Sequence, residues 1–424
     1  MAGGLMQLVA YGAQDVYLTG NPKVTFFQAV YKRHTNFAME NIEQTVNGTA
    51  ANSGRVSVTI ARNGDLVGDM YVELQSTATS SNTYAGNPSC WVAEQAIASA
   101  ELSIGGQRID KHYQRWWRLY SELYLDESKK ANWAKMTTAL TGKTVYLPLI
   151  FFFNRNPGLY LPLIALQYHE VRIDFDLAST FDSYLSTNVF KVYANYVYLD
   201  TEERRRFAQK GHEYLIEQVQ HTGSDTVSAT GSAQNKRLSY NHPVKELVWC
   251  FNDPASDNVA TSLWNFTSEP GRTGIVLEAD AFSGLSANAY VPITQGTGVP
   301  LLRSGINGWS AKKFTEEVVG PLSEFKLVLN GQDRFKAQKG KYFNQVQTYN
   351  HHSGCPYPGV YAYSFALKPE EHQPTGTCNF SRIDNAQVAV TLPSGVASTT
   401  MHMFAVNYNV LRIQSGMGGL AFSN

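Results

Sequence analysis

The feature that most constrains the fold is a weak internal repeat: segments from the first half of the 424-residue chain return in the same order in the second. Phe37-Ala38-Met39-Glu40-Asn41-Ile42-Glu43-Gln44-Thr45 is echoed by Tyr214-Leu215-Ile216-Glu217-Gln218-Val219-Gln220-His221-Thr222. Leu102-Ser103-Ile104-Gly105-Gly106-Gln107-Arg108 is echoed by Leu327-Val328-Leu329-Asn330-Gly331-Gln332-Asp333-Arg334. Both members of this second pair read as a strand entering a Gly-containing turn, the chemistry of a hairpin or bulge. A Pro-punctuated aromatic strand follows in each half, at 146–153 and 360–367, then another strand, at 168–177 and 382–392. Each half closes on a Tyr/Val-rich strand, at 192–199 and 403–413. Ordered self-similarity of this kind indicates two copies of one structural unit. The spacing between matched segments grows from about 177 to about 225 residues, so the second copy carries an insertion, placed after Phe251.

Within each copy the apolar runs are short and separated by Gly, Asn, Asp, Ser and Pro, which is strand patterning. Strands are predicted at 55–60, 69–74, 101–104, 145–153, 171–177 and 189–199. Three helices interrupt them. One starts at Asn21 and Pro22 and puts Val24, Phe27, Val30 and Tyr31 on one face. A second lies between Tyr113 and Leu125, with Trp116, Leu119, Tyr120 and Leu123 at helical spacing as packing residues. A third, capped by Asp200 with Glu203 three positions on, links the halves, and its Arg204, Arg205 and Arg206 read as a solvated or salt-bridged face. About eight short strands per half predict an all-β protein: two tandem eight-stranded jelly-roll sandwiches with short helical excursions. The expected organisation is an N-terminal arm and helix start at 1–25, a first jelly roll at 26–210 and a second at 211–424. The Gly/Ser/Thr/Asn/Ala-rich stretch 253–320 is expected to project outwards from the second.

Catalytic signatures are weak throughout. There is no phosphate-binding loop or nucleophile elbow. His169-Glu170 and His212-Glu213 lack the second His that a metalloprotease helix needs. His351-His352 with Cys355 has metal-ligand chemistry but no second cluster. Asp174 and Asp176 share a strand face and read as solvated residues rather than an acid–base pair. Ser415-Gly416-Met417-Gly418-Gly419-Leu420 echoes a dinucleotide loop but opens no helix. Its glycines are expected to let the C-terminal tail pass a neighbouring element. No catalytic, metal or cofactor residues are expected. The cysteines Cys90, Cys250, Cys355 and Cys378 are isolated and expected to be reduced.

Composition narrows the remaining classes. Charged residues make up only 17% of the chain, against about 25% in average soluble proteins, which favours a surface covered by partners. Lys+Arg and Asp+Glu both number 35, so a phosphate-gripping nucleic-acid binder is not expected. The N-terminus has neither a secretory layout nor a Gly after Met1 for myristoylation. The longest apolar run, 146–153, is far short of the roughly 20 residues of a membrane helix and reads as a buried strand.

Several long strings then carry a family resemblance. They are Gln7–Pro22 (QLVAYGAQDVYLTGNP), Ile104–Lys111 (IGGQRIDK), Pro148–Asn154 (PLIFFFN) and Ala165–Val171 (ALQYHEV) in the first half. The second half adds Leu329–Phe335 (LNGQDRF), Cys378–Asn385 (CNFSRIDN) and Asn407–Ile413 (NYNVLRI). In these strings the chain resembles the major capsid proteins of large icosahedral double-stranded DNA viruses, particularly those infecting chlorella-like algae. The least familiar stretch is 253–320. The resemblance implies a homotrimer of pseudo-hexagonal outline that packs against neighbouring capsomers, in the virion shell, assembled in the host cytoplasm. It further implies minor capsid proteins, and the surface of an internal virion membrane, as partners at the inner face. The sequons at Asn47, Asn265 and Asn379 are candidate acceptors for covalent glycans, Asn265 being the best placed. The alternative reading is a carbohydrate-binding, lectin-like jelly-roll protein. A cupin enzyme fits less well, since the ten His include no H-x-H pair.

Overall fold

The computed structural model describes residues 3–23, 28–78, 91–139, 141–252, 266, 293–294, 300–301, 320–354, 356, 359–394 and 399–422. The chain forms two units, Met1–Phe37 and Ala38–Asn424. Among the described residues of the first lie two short helices, α1 (Gly3–Val9) and α2 (Val16–Thr19). The helix expected from Asn21 is absent from the described residues of that stretch, 21–23 and 28–31, while Val24 and Phe27 lie outside them. Asn21 has φ of 52°, a left-handed conformation that closes a preceding turn rather than opening a helix. Its position before Pro22 also disfavours right-handed helical backbone.

The second unit contains two sandwiches. In the first, one sheet sets β1 (Phe37–Gln44), β10 (Leu185–Leu199), β4 (Leu66–Ser76) and β7 (Thr144–Pro148) side by side in that order, with β8 (Leu161–Pro162) also on β4. The facing sheet runs β2 (Val46–Asn47), β3 (Arg55–Thr59), β9 (Val171–Leu177), β5 (Ile97–Ile104) and β6 (Gln107–Tyr113). In the second sandwich one sheet runs β11 (His212–Val227), β22 (Thr399–Gln414), β13 (Pro243–Asn252) and β19 (Val360–Ser364). Two short strands add to it, β20 (Cys378–Asn379) on β13 and β23 (Met417–Leu420) on β22. The facing sheet runs β12 (Gln234–Leu238), β21 (Ala386–Thr391), β16 (Glu324–Leu329) and β17 (Gln332–Asp333), with β18 (Gln338–Lys339) on β16. A small ladder of β14 (Ile293–Thr294) and β15 (Pro300–Leu301) falls within the inserted stretch.

The two sandwiches are the same object built twice. The order β1-β10-β4-β7 matches β11-β22-β13-β19, and β3-β9-β5-β6 matches β12-β21-β16-β17. Every repeated sequence segment falls on matching strands. The shared glycine turn is a hairpin with both central residues left-handed: Gly105 and Gly106 at 57° and 83°, Asn330 and Gly331 at 50° and 78°. That turn suits the twist of paired strands and penalises residues with a Cβ. The insertion occupies the β13-to-β16 connection, the counterpart of β4 to β5, and most of the loop expected at 253–320 lies outside the described residues.

The strand expected over 145–153 ends at Pro148. Beyond it Phe152–Arg155 forms a short helix, α5. Asn154 makes the difference: its side-chain oxygen accepts from the Phe151 N–H at 3.2 Å, and its amide donates to the Gly68 carbonyl at 2.8 Å. Phe151, Phe152 and Phe153 are all buried, so the apolar run serves a turn in the core as well as a strand.

Helices fill the same connection in both sandwiches. Between β6 and β7 lie α3 (Gln114–Leu123) and α4 (Glu127–Thr137), the latter capped by Asp126 accepting from the Lys129 N–H at 2.7 Å. Between β17 and β19 lies the helical run 342–351. α6 (Phe181–Tyr184) leads into β10. α7 (Thr201–Gln209) links the sandwiches. Asp200 holds its N-cap position without a side-chain cap bond, and Arg204, Arg205 and Arg206 pair with Asp65, Glu202 and Glu203. Among the described residues no helix is long and apolar enough to cross a membrane.

Candidate assembly surfaces

The joint between the sandwiches shows what their outer sheet faces are for. Along β13, Leu247, Trp249 and Phe251 point into the second sandwich, where Trp249 stacks on Phe325 at 4.3 Å. The alternate residues Val248 and Cys250 point the other way and join the core of the first sandwich, together with Val360, Ala362, Phe404 and Val406. The element that covers this outer face is α3 and its approach: Trp116 and Tyr113 pack on Phe404 at 5.7 and 6.1 Å. The apolar interior of the first sandwich therefore continues across the joint, as in an obligate interface.

A second contact closes the joint at its edge strands. The Val219 N–H of β11 donates to the Asp110 carboxylate of β6 at 3.0 Å, and Gln218 donates to the Ile109 carbonyl. The C-terminal hairpin adds a third. β23 folds back on β22, and its Gly418 N–H donates to His169 Nδ1 at 3.1 Å while Leu420 N–H donates to Gln107 Oε1 at 3.2 Å. A Cβ on Gly418 would fall 2.7 Å from a Leu166 methyl, so any larger residue here would displace that side chain.

Charges are buried where α3 and α5 meet the second sandwich. Lys245, fully buried on β13, pairs with Glu217 at 2.6 Å, and Arg155 reaches the same carboxylate at 3.0 Å. Burial alone would push the Glu217 carboxyl up; Lys245 and Arg155 outweigh it and hold the group below its ordinary range. Next to them Tyr124 donates to Glu246 at 2.6 Å, and the His352 ring is held between Glu246 and Glu370. Burial, the largest influence on His352, favours the neutral ring. The two carboxylates overcome it and raise its pKa to about 9. These groups were not legible as a site; the one hint was Lys245-Glu246, two charges inside an otherwise apolar strand.

Other residues singled out by sequence have structural employment. His351 Nδ1 lies 3.0 Å from the Leu367 carbonyl, His352 belongs to the joint, and Cys355 is outside the described residues. His212 contacts the Phe207 carbonyl. Asp174 and Asp176 are not simply solvated. Asp174 is buried and pairs with Arg55 and Arg172 at 3.3 and 2.8 Å, and Asp176 accepts from Ser99 at 2.9 Å. Cys250 is a core residue and Cys378 is half-buried; Cys90 is outside the described residues. Asn47 is exposed on β2. Asn379 is exposed too, but its side-chain oxygen accepts from the Ser381 N–H at 3.0 Å; Asn265 lies outside the described residues.

Two surfaces stand out as exposed among the described residues. In the N-terminal unit every described side chain from residue 5 onward is exposed except the half-buried Asp15, including Leu8, Tyr17, Leu18 and Tyr31 at 78–91%. On the first sandwich, the outer face of β1-β10-β4-β7 carries a tyrosine row. Tyr71 stacks on Tyr193 at 5.2 Å and meets Tyr146 edge-on at 5.5 Å.

Two tandem jelly rolls fused by a continuous core, with large outer faces, define a double-jelly-roll protein. Comparison with known proteins gives the family. The family described as "Major capsid protein N-terminus" matches residues 25–200, and "Large eukaryotic DNA virus major capsid protein" matches 203–419. The major capsid protein of Paramecium bursaria Chlorella virus 1 is 45% identical over 465 aligned residues, covering 100% of both chains. That of Pyramimonas orientalis virus is 42% identical, also over 100% of both. A chain of the PBCV-1 virus capsid superposes with a TM-score of 0.75 at 41% identity, covering 94% of this chain and 100% of that one. The chain belongs to the major capsid proteins of large eukaryotic DNA viruses. Its role is structural, in the shell of the virion, and it is not an enzyme.

Proposed function

We propose that the protein works as a homotrimeric, pseudo-hexagonal capsomer that tiles an icosahedral shell by contact with neighbouring capsomers. The carrying observation is the matched strand order of the two sandwiches within one chain. Three copies of a doubled domain present six near-equivalent corners, and hexagons tile a surface. The working division is an arm at 1–25, a first jelly roll at 26–210 and a second at 211–424. Light scattering tests the trimer: a dilution-resistant species near three times 47.1 kDa is expected, and a stable monomer at micromolar concentration contradicts it.

The exposed apolar N-terminal unit suits the inner face of the shell, where minor capsid proteins and an internal membrane surface would cover it. Particles would assemble in the host cytoplasm. Covalent glycans would sit on Asn265, in the long inserted stretch, and on Asn47 in preference to Asn379, because the Asn379 side chain is tied into its own turn. Glycopeptide mass spectrometry of virion protein tests this; sugar on Asn379 with none on Asn47 contradicts it.

A further inference from the structure

The edge strands β6 and β11 meet at the joint without closing on each other completely. Between them lies a cavity of about 520 Å³, with Ser239 and His242 on one side and Leu420 and Phe422 on another. Its size is that of a small-ligand site, about 300–1,000 Å³. Three backbone irregularities converge on it. The β6 ladder slips between Arg108 and Asp110, leaving Ile109 as an extra residue. The β11 ladder slips between His221 and Ser224, with Gly223 at φ of 109°. His242 stands in left-handed backbone at 63°, pinned because its N–H donates to Ser381 Oγ at 2.8 Å and its carbonyl accepts from the Phe380 N–H at 3.1 Å. Bulges re-aim side chains beside functional sites, and left-handed backbone fixed by its surroundings concentrates there too. We infer that this cleft binds an acidic sugar, its anionic group held by Arg108 and Lys111 and its ring set against Phe422.

The wall offers donors. Arg108 is exposed, and its charge acts on the nearby Tyr113 hydroxyl against the upward push that burial gives that group. The Lys111 ammonium lies 5.6 Å from the centre of the Tyr113 ring, and its contact with the Glu101 carboxylate is long, at 4.0 Å. Gln107 spends its side-chain oxygen on the Leu420 N–H, which leaves its amide nitrogen to donate. The acid in the wall, Asp110, is already engaged. One of its oxygens accepts from the Lys111 and Val219 N–H groups at 2.8 and 3.0 Å, and the other lies 2.9 Å from Nε2 of buried His112. Such a wall selects an oxyanion, and hydrogen bonds from Arg and Lys to an oxyanion are the strong ones.

An inorganic ion alone would leave most of this cavity empty, and the remaining wall suits hydroxyls and a ring. Burial, the largest influence on His221, holds its pKa below the ordinary range. Its Nδ1 lies 2.9 Å from the Met403 carbonyl, so the neutral ring donates there and keeps Nε2 as an acceptor for a hydroxyl. Ser239 adds a hydroxyl that can donate or accept. Phe422, 61% exposed, presents an aromatic surface to the apolar C–H face of a sugar ring. A ligand with one acidic group, several hydroxyls and an apolar ring face meets all of these walls at once.

The test is saturation-transfer NMR on the full-length protein with glucuronic acid or glucose, and with inorganic sulfate added as a competitor. Glucuronic acid should bind saturably. Glucose should bind, and sulfate compete, at least about tenfold more weakly, because each lacks half of the match. Arg108→Ala should weaken glucuronic acid at least about tenfold. Phe422→Ala should weaken glucuronic acid too. Both side chains are exposed, so circular dichroism and oligomer mass of the variants should match wild type. No saturable signal from glucuronic acid, or one unchanged by Arg108→Ala, would overturn the site. Glucose binding as tightly as glucuronic acid would overturn the role of the basic pair, and sulfate competing at the sugar's own concentration would overturn the sugar.

Discussion

At the residue scale, His352 is the most telling side chain. Its ring is buried between Glu246 and Glu370, with its pKa raised to about 9 from an ordinary value near 6.5. A group whose pKa is higher folded than unfolded stabilises fully below the unfolded value and loses that effect as pH rises through the folded one. The joint should therefore hold best below about pH 6.5 and weaken progressively up to about pH 9. Thermal melts across that range check this: His352→Gln should be less stable at pH 6 and should flatten the alkaline slope. A slope unchanged by the substitution would show that another group titrates. A second residue, Gly331, tests the duplicated hairpin. At φ of 78° an alanine has room but the wrong backbone preference, so Gly331→Ala should cost about 1 kcal/mol in denaturant unfolding.

At the element scale the joint is a packing contact, and it should fail by packing. Trp116 is buried on α3 against Phe404 of β22. Trp116→Ala should destabilise the chain by about 3–5 kcal/mol and split a single unfolding transition into two, as the sandwiches come apart. One shifted but undivided calorimetric transition would mean that the sandwiches do not depend on this contact to stay coupled. Most elements were readable because strands half-buried in a sandwich alternate in sequence. β9 was legible over its whole length, and α3 within a residue or two at each end. The errors have specific causes. The Phe151–Phe153 run looked like strand because burial and strand patterning coincide in a short apolar stretch, while the Asn154 side chain that bends it is one polar residue. The Asn21 helix failed because a residue with good capping chemistry also tolerates the left-handed backbone that ends a helix. The joint was hidden because pattern tells which strand face is apolar, not which distant element covers it; Lys245 and Glu246 mark the place only once Glu217 and His352 are seen beside them.

At the scale of the whole molecule, the internal repeat was the strongest sequence signal, and the matched strand orders give it a physical meaning. A chain that contains two copies of one sandwich, joined by one contact between them, is the doubled unit from which the proposed six-cornered block would be built. The N-terminal unit also looks to assembly, since its described apolar side chains are exposed. Limited proteolysis should cut within about the first 22 residues quickly in free trimers and slowly in intact particles; equal rates would contradict a docked arm. The central claim is that three doubled chains make a six-cornered block. The most direct measurement is electron microscopy of the purified oligomer, averaged in views down its axis. Six lobes of similar size around a closed ring are predicted, with three-fold rather than true six-fold symmetry. A two-fold particle, or a ring with a lobe count other than six, would contradict the account.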